Sequence, residues 1–395
     1  MNHSKNHSKN TVLMASLLLP GLAALATLTS PVAHAENAPE KTTIAFKLGS
    51  YHDSQAGWDR ITATAPQVYI QAPIASDWAI EASAVRDNVS GATPYFHTQK
   101  TGASGGGQLG MKDERNAGDV RITRYLGRST YAAGLAISNE HDYQSTAISL
   151  DGRWSSEDNN TTWSAGLGAS NDVIDNTYSG LNTAIDQKKT TREIMVGVTQ
   201  VLTPDDIIQF NITRSMGSGY FNDPYKLFDS RPDVRNTWIA LARWNHYVEG
   251  FDASLKTSYR YYNDTFGVQS HTVGVEWVQP MGQWTLTPAA RYYSQKAADF
   301  FIEPILDAQG NYDTAATMRK TLLTSGFRSG DQRLSGFGAI TLSFKAAYAI
   351  NANTSVDFKI ETYRQSGDWA LGGGGTKGLD TFNAQFYQVG ITHRF

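Results

Sequence analysis

The sequence predicts an all-β chain closed into a transmembrane, antiparallel, up-and-down β-barrel of about 16 strands, within a range of about 14 to 18. Three observations carry this. Apolar and polar residues alternate with period two along most of the chain, connections are short at one end of the strands and long at the other, and tryptophans gather beside the short turns.

The N-terminus is read separately. "MNHSKNHSKN" carries Lys5 and Lys9, an apolar stretch runs from Val12 to about Leu28, and "PVAHAE" places Ala33 and Ala35 around His34. A charged region, an apolar region and a small-x-small site predict a secretory signal peptide over residues 1–35, with the mature barrel domain over 36–395. Pro20 and Gly21 interrupt the apolar run, which argues against an uncleaved helical anchor. There is no cysteine, which excludes disulfides, thiolate metal sites and thiol nucleophiles. A formal net charge of −3 with interleaved signs gives no basic stripe for nucleic acid. No later stretch approaches the roughly 18 apolar residues of a membrane helix. A barrel strand needs only about 10, and every second one may be polar.

The elements follow in order. Alternation predicts strands near 42–51, 66–74, 78–86, 112–125, 130–140, 143–154, 161–172, 190–201, 206–216, 234–247, 251–263, 267–278, 283–296, 333–350, 354–364 and 383–395. In "IIQFNITR" Ile208, Phe210 and Ile212 oppose Gln209, Asn211 and Thr213; in "TSVDFKIETY" Val356, Phe358 and Ile360 oppose Asp357, Lys359 and Glu361. "ASD", "GRS", "SEDNN", "TPDD", "EGF", "PMGQ" and "NANT" are short turns. Around 87–111, 173–189, 217–233, 297–332 and 365–382 lie long loops. This asymmetry belongs to outer-membrane barrels, with short periplasmic turns and long outer loops. Trp154 and Trp163 flank one turn and Trp277 and Trp284 another, on the faces that carry Leu150, Leu167, Val275 and Leu286, as an interfacial girdle requires. On the last strand Tyr387, Val389, Ile391 and Phe395 share a face predicted to meet lipid. An alternating strand closed by Phe resembles the signal read by the barrel-assembly machinery of bacterial outer membranes; His393 stands where an apolar residue is more usual. Closure also stabilises a chain without disulfides, because it leaves no unpaired sheet edge in hydrocarbon.

Several ordered strings, "SGATP" (90–94), "NEHDYQS" (139–145), "FNDPYK" (221–226), "SRPDVR" (230–235), "YRYYNDTFGVQSHT" (259–272) and "RYYSQKAADFF" (291–301), resemble a family of bacterial outer-membrane barrels known as domain of unknown function 3570. The departures are Thr265 and Phe266, where an acid and a tryptophan are expected. The resemblance implies an outer-membrane barrel of a Gram-negative bacterium and supplies no catalytic residues. Most of these strings fall where strands meet outer loops, with Pro94, Pro224 and Pro232 as turn markers.

Alternation places Lys256, Ser258, Arg260 and Tyr262 toward the lumen, with Asp119, Arg121, Asp151, Arg153, Arg243, Glu276, Arg291, Asp357, Lys359 and Glu361. Arg243, Lys256, Arg260 and Arg291 fall on neighbouring strands, so they form either an ion-selecting basic wall or one side of a cross-braced lumen. The loop 297–332 carries Phe300, Phe301, Ile302, Ile305 and Leu306, apolar residues that need burial if the loop lies outside the membrane. Folding into the barrel would bury them and would bring Asp299, Glu303 and Asp307 toward the basic wall as a constriction.

Enzymatic readings are weaker. His52, His97, His141, His246, His271 and His393 show no metal-ligand spacing, and Ser270 and His271, being adjacent, point to opposite faces. "EHD" at 140–142 reads as a solvated turn, and "TGASGGGQLG" and "LGGGGTKG" lack the strand-to-helix setting of a phosphate loop. No metal, cofactor or catalytic residue is predicted. The expected function is a porin-like or gated channel for small solutes; a plugged barrel anchoring periplasmic partner proteins is the second reading, and an outer-membrane hydrolase the third. Outer-membrane lipid and the barrel-assembly machinery are the expected partners.

Overall fold

The computed structural model describes residues 37–55, 57–91, 111–176, 184–224 and 226–395. The signal-peptide segment and "TGASGGGQLG" lie outside them, as do His97 and Pro94. Sixteen strands form one closed antiparallel barrel in which each strand pairs with its sequence neighbours and the last returns to the first. They are β1 Thr43–Gln55, β2 Trp58–Ala75, β3 Trp78–Gly91, β4 Met111–Leu126, β5 Ser129–Asn139, β6 Tyr143–Ser155, β7 Thr161–Asn176, β8 Ala184–Val201, β9 Asp206–Gly219, β10 Val234–Val248, β11 Ala253–Asp264, β12 Gln269–Met281, β13 Trp284–Gln295, β14 Phe337–Ala349, β15 Thr354–Ser366 and β16 Phe382–Arg394. The seam runs from Thr43 opposite Arg394 to Gln55 opposite Phe382.

The strand count and the alternation of short and long connections match the sequence. β7 runs on to Asn176 and β8 starts at Ala184, so strand takes up much of the loop expected over 173–189; two further boundaries differ for identifiable reasons. β2 begins at Trp58 rather than near residue 66, so it runs through Pro66 instead of starting there. Proline cannot donate to a ladder, and the pairing of β2 with β3 accordingly skips Ala65 and Pro66 while keeping its register on either side. Pro288 leaves the same gap between β12 and β13. The strand placed at 333–350 starts only at Phe337, because Gln332–Leu334 form a short 3-10 turn that belongs to the preceding loop.

The two faces separate by chemistry. Leu150, Leu167, Val196, Phe210, Ile212, Val275, Leu342 and Val389 are all exposed on the outer face, and Trp154, Trp163, Trp244 and Trp284 line its end beside the short turns. Tyr387, Val389, Ile391 and Phe395 lie on this face, with the His393 ring edge-on to Phe395 at 4.6 Å. A soluble sandwich would bury these residues. A closed sheet, with its backbone groups paired within the barrel and its outer face apolar, is the architecture that spans a bilayer with strands.

At the opposite end the loops are built. Helix α1, Thr314–Leu323, is capped by Asp313, whose side chain accepts from the Ala316 N–H at 2.9 Å. Phe301 and Ile302 of the β13–β14 loop are buried, and Phe301 packs with Phe266, Val268, Ala298 and Leu334, against which Phe221, Tyr262, Phe300 and Leu379 close. Four outer loops therefore share one apolar nucleus. Phe300 and Phe301 of the 297–332 segment find their burial here, at the mouth, while Leu322, Leu323 and Phe327 of the same segment stay exposed.

Candidate functional site: the inner wall and its mouth

The basic wall is contiguous. Arg243 on β10 lies opposite Ser258 on β11, Ser258 opposite Gly274 on β12, Gly274 opposite Arg291 on β13, and Arg291 opposite Thr341 on β14. These residues form one row across five strands. Strand spacing puts Arg243 and Arg291 about 14 Å apart along the wall. Arg260 lies two residues beyond Ser258 toward the outer mouth, and Lys256 two residues the other way. Gly274 keeps the row open, since a Cβ there would sit 2.8 Å from the Ser258 Oγ.

The four cations differ in their partners. Lys256 donates to Glu276 at 3.1 Å and is neutralised. Arg243 reaches only the Gln209 carbonyl oxygen, at 3.4 Å. Arg291 donates to the Thr341 hydroxyl at 3.1 Å. The Arg260 guanidinium lies over the Tyr262 ring, 5.4 Å from its centre. Among the described residues no carboxylate lies within ion-pair distance of Arg243, Arg260 or Arg291. Elsewhere on the wall cations are matched: Arg115 with Asp87, Arg121 with Asp151 at 2.5 Å, Lys189 with Asp172 at 3.0 Å, and Lys359 with Glu361 at 2.9 Å.

The three acids of the proposed constriction have other partners. Asp299 pairs with Lys296 of its own turn at 3.6 Å. Glu303 accepts from the Thr376 hydroxyl at 3.2 Å. Asp307 closes its own turn, accepting from the Asn311 and Gln309 N–H groups at 2.8 and 2.9 Å. The Asn311 N–H holds this exposed carboxyl below its usual range.

Charge concentrates instead in a cluster that alternation could not reveal. Asp331 of the β13–β14 loop, 1% exposed, accepts from Arg231 of the β9–β10 loop at 2.9 Å and from Arg333 at 2.5 Å. Arg333 also binds Asp223, Arg231 binds Asp229 at 2.7 Å, and the Ser329 hydroxyl donates to Asp229 at 2.5 Å. Lys226 is buried beside this group. Paired backbone bonds between Ser230 and Arg328, both 2.8 Å, fasten the two loops. The strap then meets the barrel rim: Gln55 of β1 donates to the Gln332 carbonyl at 2.7 Å, and Gln295 of β13 to the Ser335 backbone carbonyl at 2.6 Å.

Burial raises Asp229 despite Arg231 beside it, and lowers Lys226 against the pull of Asp331 and Asp223. For Asp331 burial acts upward, but Arg333, Lys226 and Arg231 outweigh it and hold the carboxyl well below the usual range. Charge attraction from Asp331, set against burial, raises Arg333. The only sequence signals were "FNDPYK" and "SRPDVR", charged strings bounded by prolines; nothing linked them to Asp331, which lies 100 residues from Arg231.

The sequence model of the family described as "Protein of unknown function (DUF3570)" matches residues 9–386. The chain belongs to this family. No curated protein matches it in sequence. Among solved structures it is similar to a bacterial polysaccharide outer membrane secretin, with a TM-score of 0.49, 8% identity, and coverage of 90% of this chain and 98% of the other. It is similar also to OpdQ of Pseudomonas aeruginosa, with a TM-score of 0.44, 10% identity, and coverage of 90% and 99%. A third is Pseudomonas aeruginosa OccK1 (OpdK), with a TM-score of 0.43, 9% identity, and coverage of 90% and 98%. What this family member carries for function has to come from its own wall and mouth.

Proposed function

We propose that this family member is an outer-membrane channel for small solutes, exported through its cleaved N-terminal segment, with an inner wall that favours anions and a loop strap that narrows its mouth. The observation that carries the reading is the row of Arg243 and Arg291 with Arg260 beside it, without carboxylate partners on a wall whose other cations are largely matched. A lumen braced only for stability has no use for three uncompensated cations. A ring of one sign facing a permeation path sets selectivity. One charge about 7 Å from a passing ion in water is worth about 0.6 kcal/mol, or about a threefold change in partition. No catalytic step is part of the proposal, and the lipid-facing strand ending in Tyr387, Val389, Ile391 and Phe395 is proposed as the segment handed to the assembly machinery.

The test is single-channel recording of refolded protein in a planar bilayer under a potassium chloride gradient. Reproducible steps with a reversal potential on the chloride side support the reading. A cation-selective channel would remove the role given to the arginines. The second reading, a plugged barrel that anchors periplasmic partners, is favoured by the buried strap itself, since Ser329, Asp331 and Ser335 are almost wholly enclosed. A correctly folded, silent barrel that stays silent when the strap is loosened would support it.

A further inference from the structure

The outer face carries a second set of uncompensated cations. On β8 the outward residues run Val196, Ile194, Arg192 and Thr190 toward the outer loops, and on β9 they run Phe210, Ile212, Arg214, Met216 and Ser218. Arg192 pairs in register with Met216 and Ile194 with Arg214, so the two arginines are diagonal neighbours on adjacent strands. Diagonal neighbours lie about 7 to 8 Å apart at the Cβ level, a separation that lets two guanidinium groups converge on one ligand. Arg214 stacks over Trp238 of β10 at 4.8 Å, which leaves the donating edge of the guanidinium free. Beyond them, Thr190 and Ser218 share a hydroxyl contact of 3.1 Å on the same exposed face. Among the described residues neither arginine has a carboxylate partner.

Depth decides what this pair meets. Arg192 lies nine residues from the short-turn end of β8 and Arg214 eight from that of β9. At about 3.3 Å per residue and a tilt of about 40°, both stand about 20 to 23 Å above that end. The apolar band of such barrels is about 25 Å tall, so the arginines sit at its upper edge, level with headgroups and with the aromatic ring of Trp238. A cation deeper on a lipid face would be strongly unfavourable. At the upper edge it is supplied with a partner only by what the outer leaflet brings.

We propose that Arg192 and Arg214, with Thr190 and Ser218 above them and Ile194, Val196, Phe210 and Ile212 below, form a binding site for a phosphorylated glycolipid of the outer leaflet. The phosphate takes the two guanidinium groups, the hydroxyls bond its sugar, and the acyl chains lie along the apolar strip. This site is on the opposite face of the sheet from the lumen arginines and is independent of channel activity.

The experiment is binding of fluorescent bisphosphorylated lipid A to the refolded full-length barrel in neutral detergent micelles, compared with the same lipid stripped of phosphate. The site requires tighter binding of the phosphorylated form, and Arg192→Gln and Arg214→Gln each weaken it about fivefold. Arg128→Gln, which removes the same charge at the short-turn end, leaves it unchanged. Gel mobility before and after heating checks that each variant is folded. Equal binding of the dephosphorylated lipid, retention of affinity in the double variant, or equal weakening by Arg128→Gln overturns the proposal. So does full competition by millimolar inorganic phosphate, which would make this a site for free anions rather than for lipid.

Discussion

The inner wall has two halves with the same residue types and opposite bookkeeping. From β3 to β8, Arg115, Arg121 and Lys189 each meet a carboxylate on a nearby strand. From β10 to β13, Arg235 and Lys256 also find carboxylates, Asp264 and Glu276, but Arg243, Arg260 and Arg291 meet an amide, a ring and a hydroxyl. The cations of the first half are braced, and what it leaves without a countercharge among the described residues are acids, Glu81 beside Gln71 and Asp119 beside Ser83; the second half leaves three cations open. Burying a guanidinium without its countercharge is costly unless water or a ligand solvates it, so the open half is where the lumen is expected to stay wet or hold an anion.

The largest expected effect breaks the braced half. Asp151→Ala strands Arg121 and is expected to cost about 3 kcal/mol, against less than about 0.5 kcal/mol for Arg291→Gln; thermal unfolding of both in one detergent measures the pair. Equal costs would erase the distinction between the halves. Next comes selectivity: Arg291→Gln should lower the chloride-to-potassium permeability ratio about sevenfold, because the charge acts on the two ions with opposite sign, while the neutral double variant Arg121→Gln with Asp151→Asn should leave the reversal potential where it was.

A smaller test uses two glycines. Gly134 on β5 stands between Arg121 and the β6 strand that carries Asp151, and a Cβ there would fall 2.6 Å from the Ser149 Oγ. Gly134→Ala should disturb the path of Arg121 and destabilise by about 1 kcal/mol. Gly274→Ala, in the open half, should instead lower unit conductance with little change in unfolding temperature. Both would be read on the same preparations.

The smallest effect is in pH. Asp331 has a depressed carboxyl, so its contribution to the strap is fully present above the ordinary carboxylate value of about 4 and is lost only as pH falls through its lower folded value. Asp229, raised by burial, protonates earlier on the way down, which costs the strap one ion pair but leaves Arg231 tied to Asp331. Conductance steps should therefore hold between pH 7 and about 5 and open only in stronger acid. Opening near pH 6 would show that the strap is not what narrows the mouth. Asp331→Asn should bring the acid-open state to neutral pH.

Much of this fold was legible because a strand repeats every two residues whatever surrounds it. Ile208, Phe210 and Ile212 had to share a face, and so did Val389 and Ile391; a chain of such strands with short turns at one end closes in sequence order, as it does here. The same alternation placed Arg243, Arg260 and Arg291 on the inner face. Whether each would find a carboxylate was not legible, because pairing depends on register and on the diagonal neighbour two strands away, as Arg121 reaching past Gly134 to Asp151 illustrates. The strap was further out of reach. Arg231 and Asp331 are separated by 100 residues, lie in segments with no periodicity, and meet only because the barrel brings the ends of β9, β10 and β13 to one rim. Sequence by itself determined which face each strand residue occupies, since that is set by backbone geometry. Only the tertiary structure decided which charges are neutralised, since that is set by distances the closed barrel imposes.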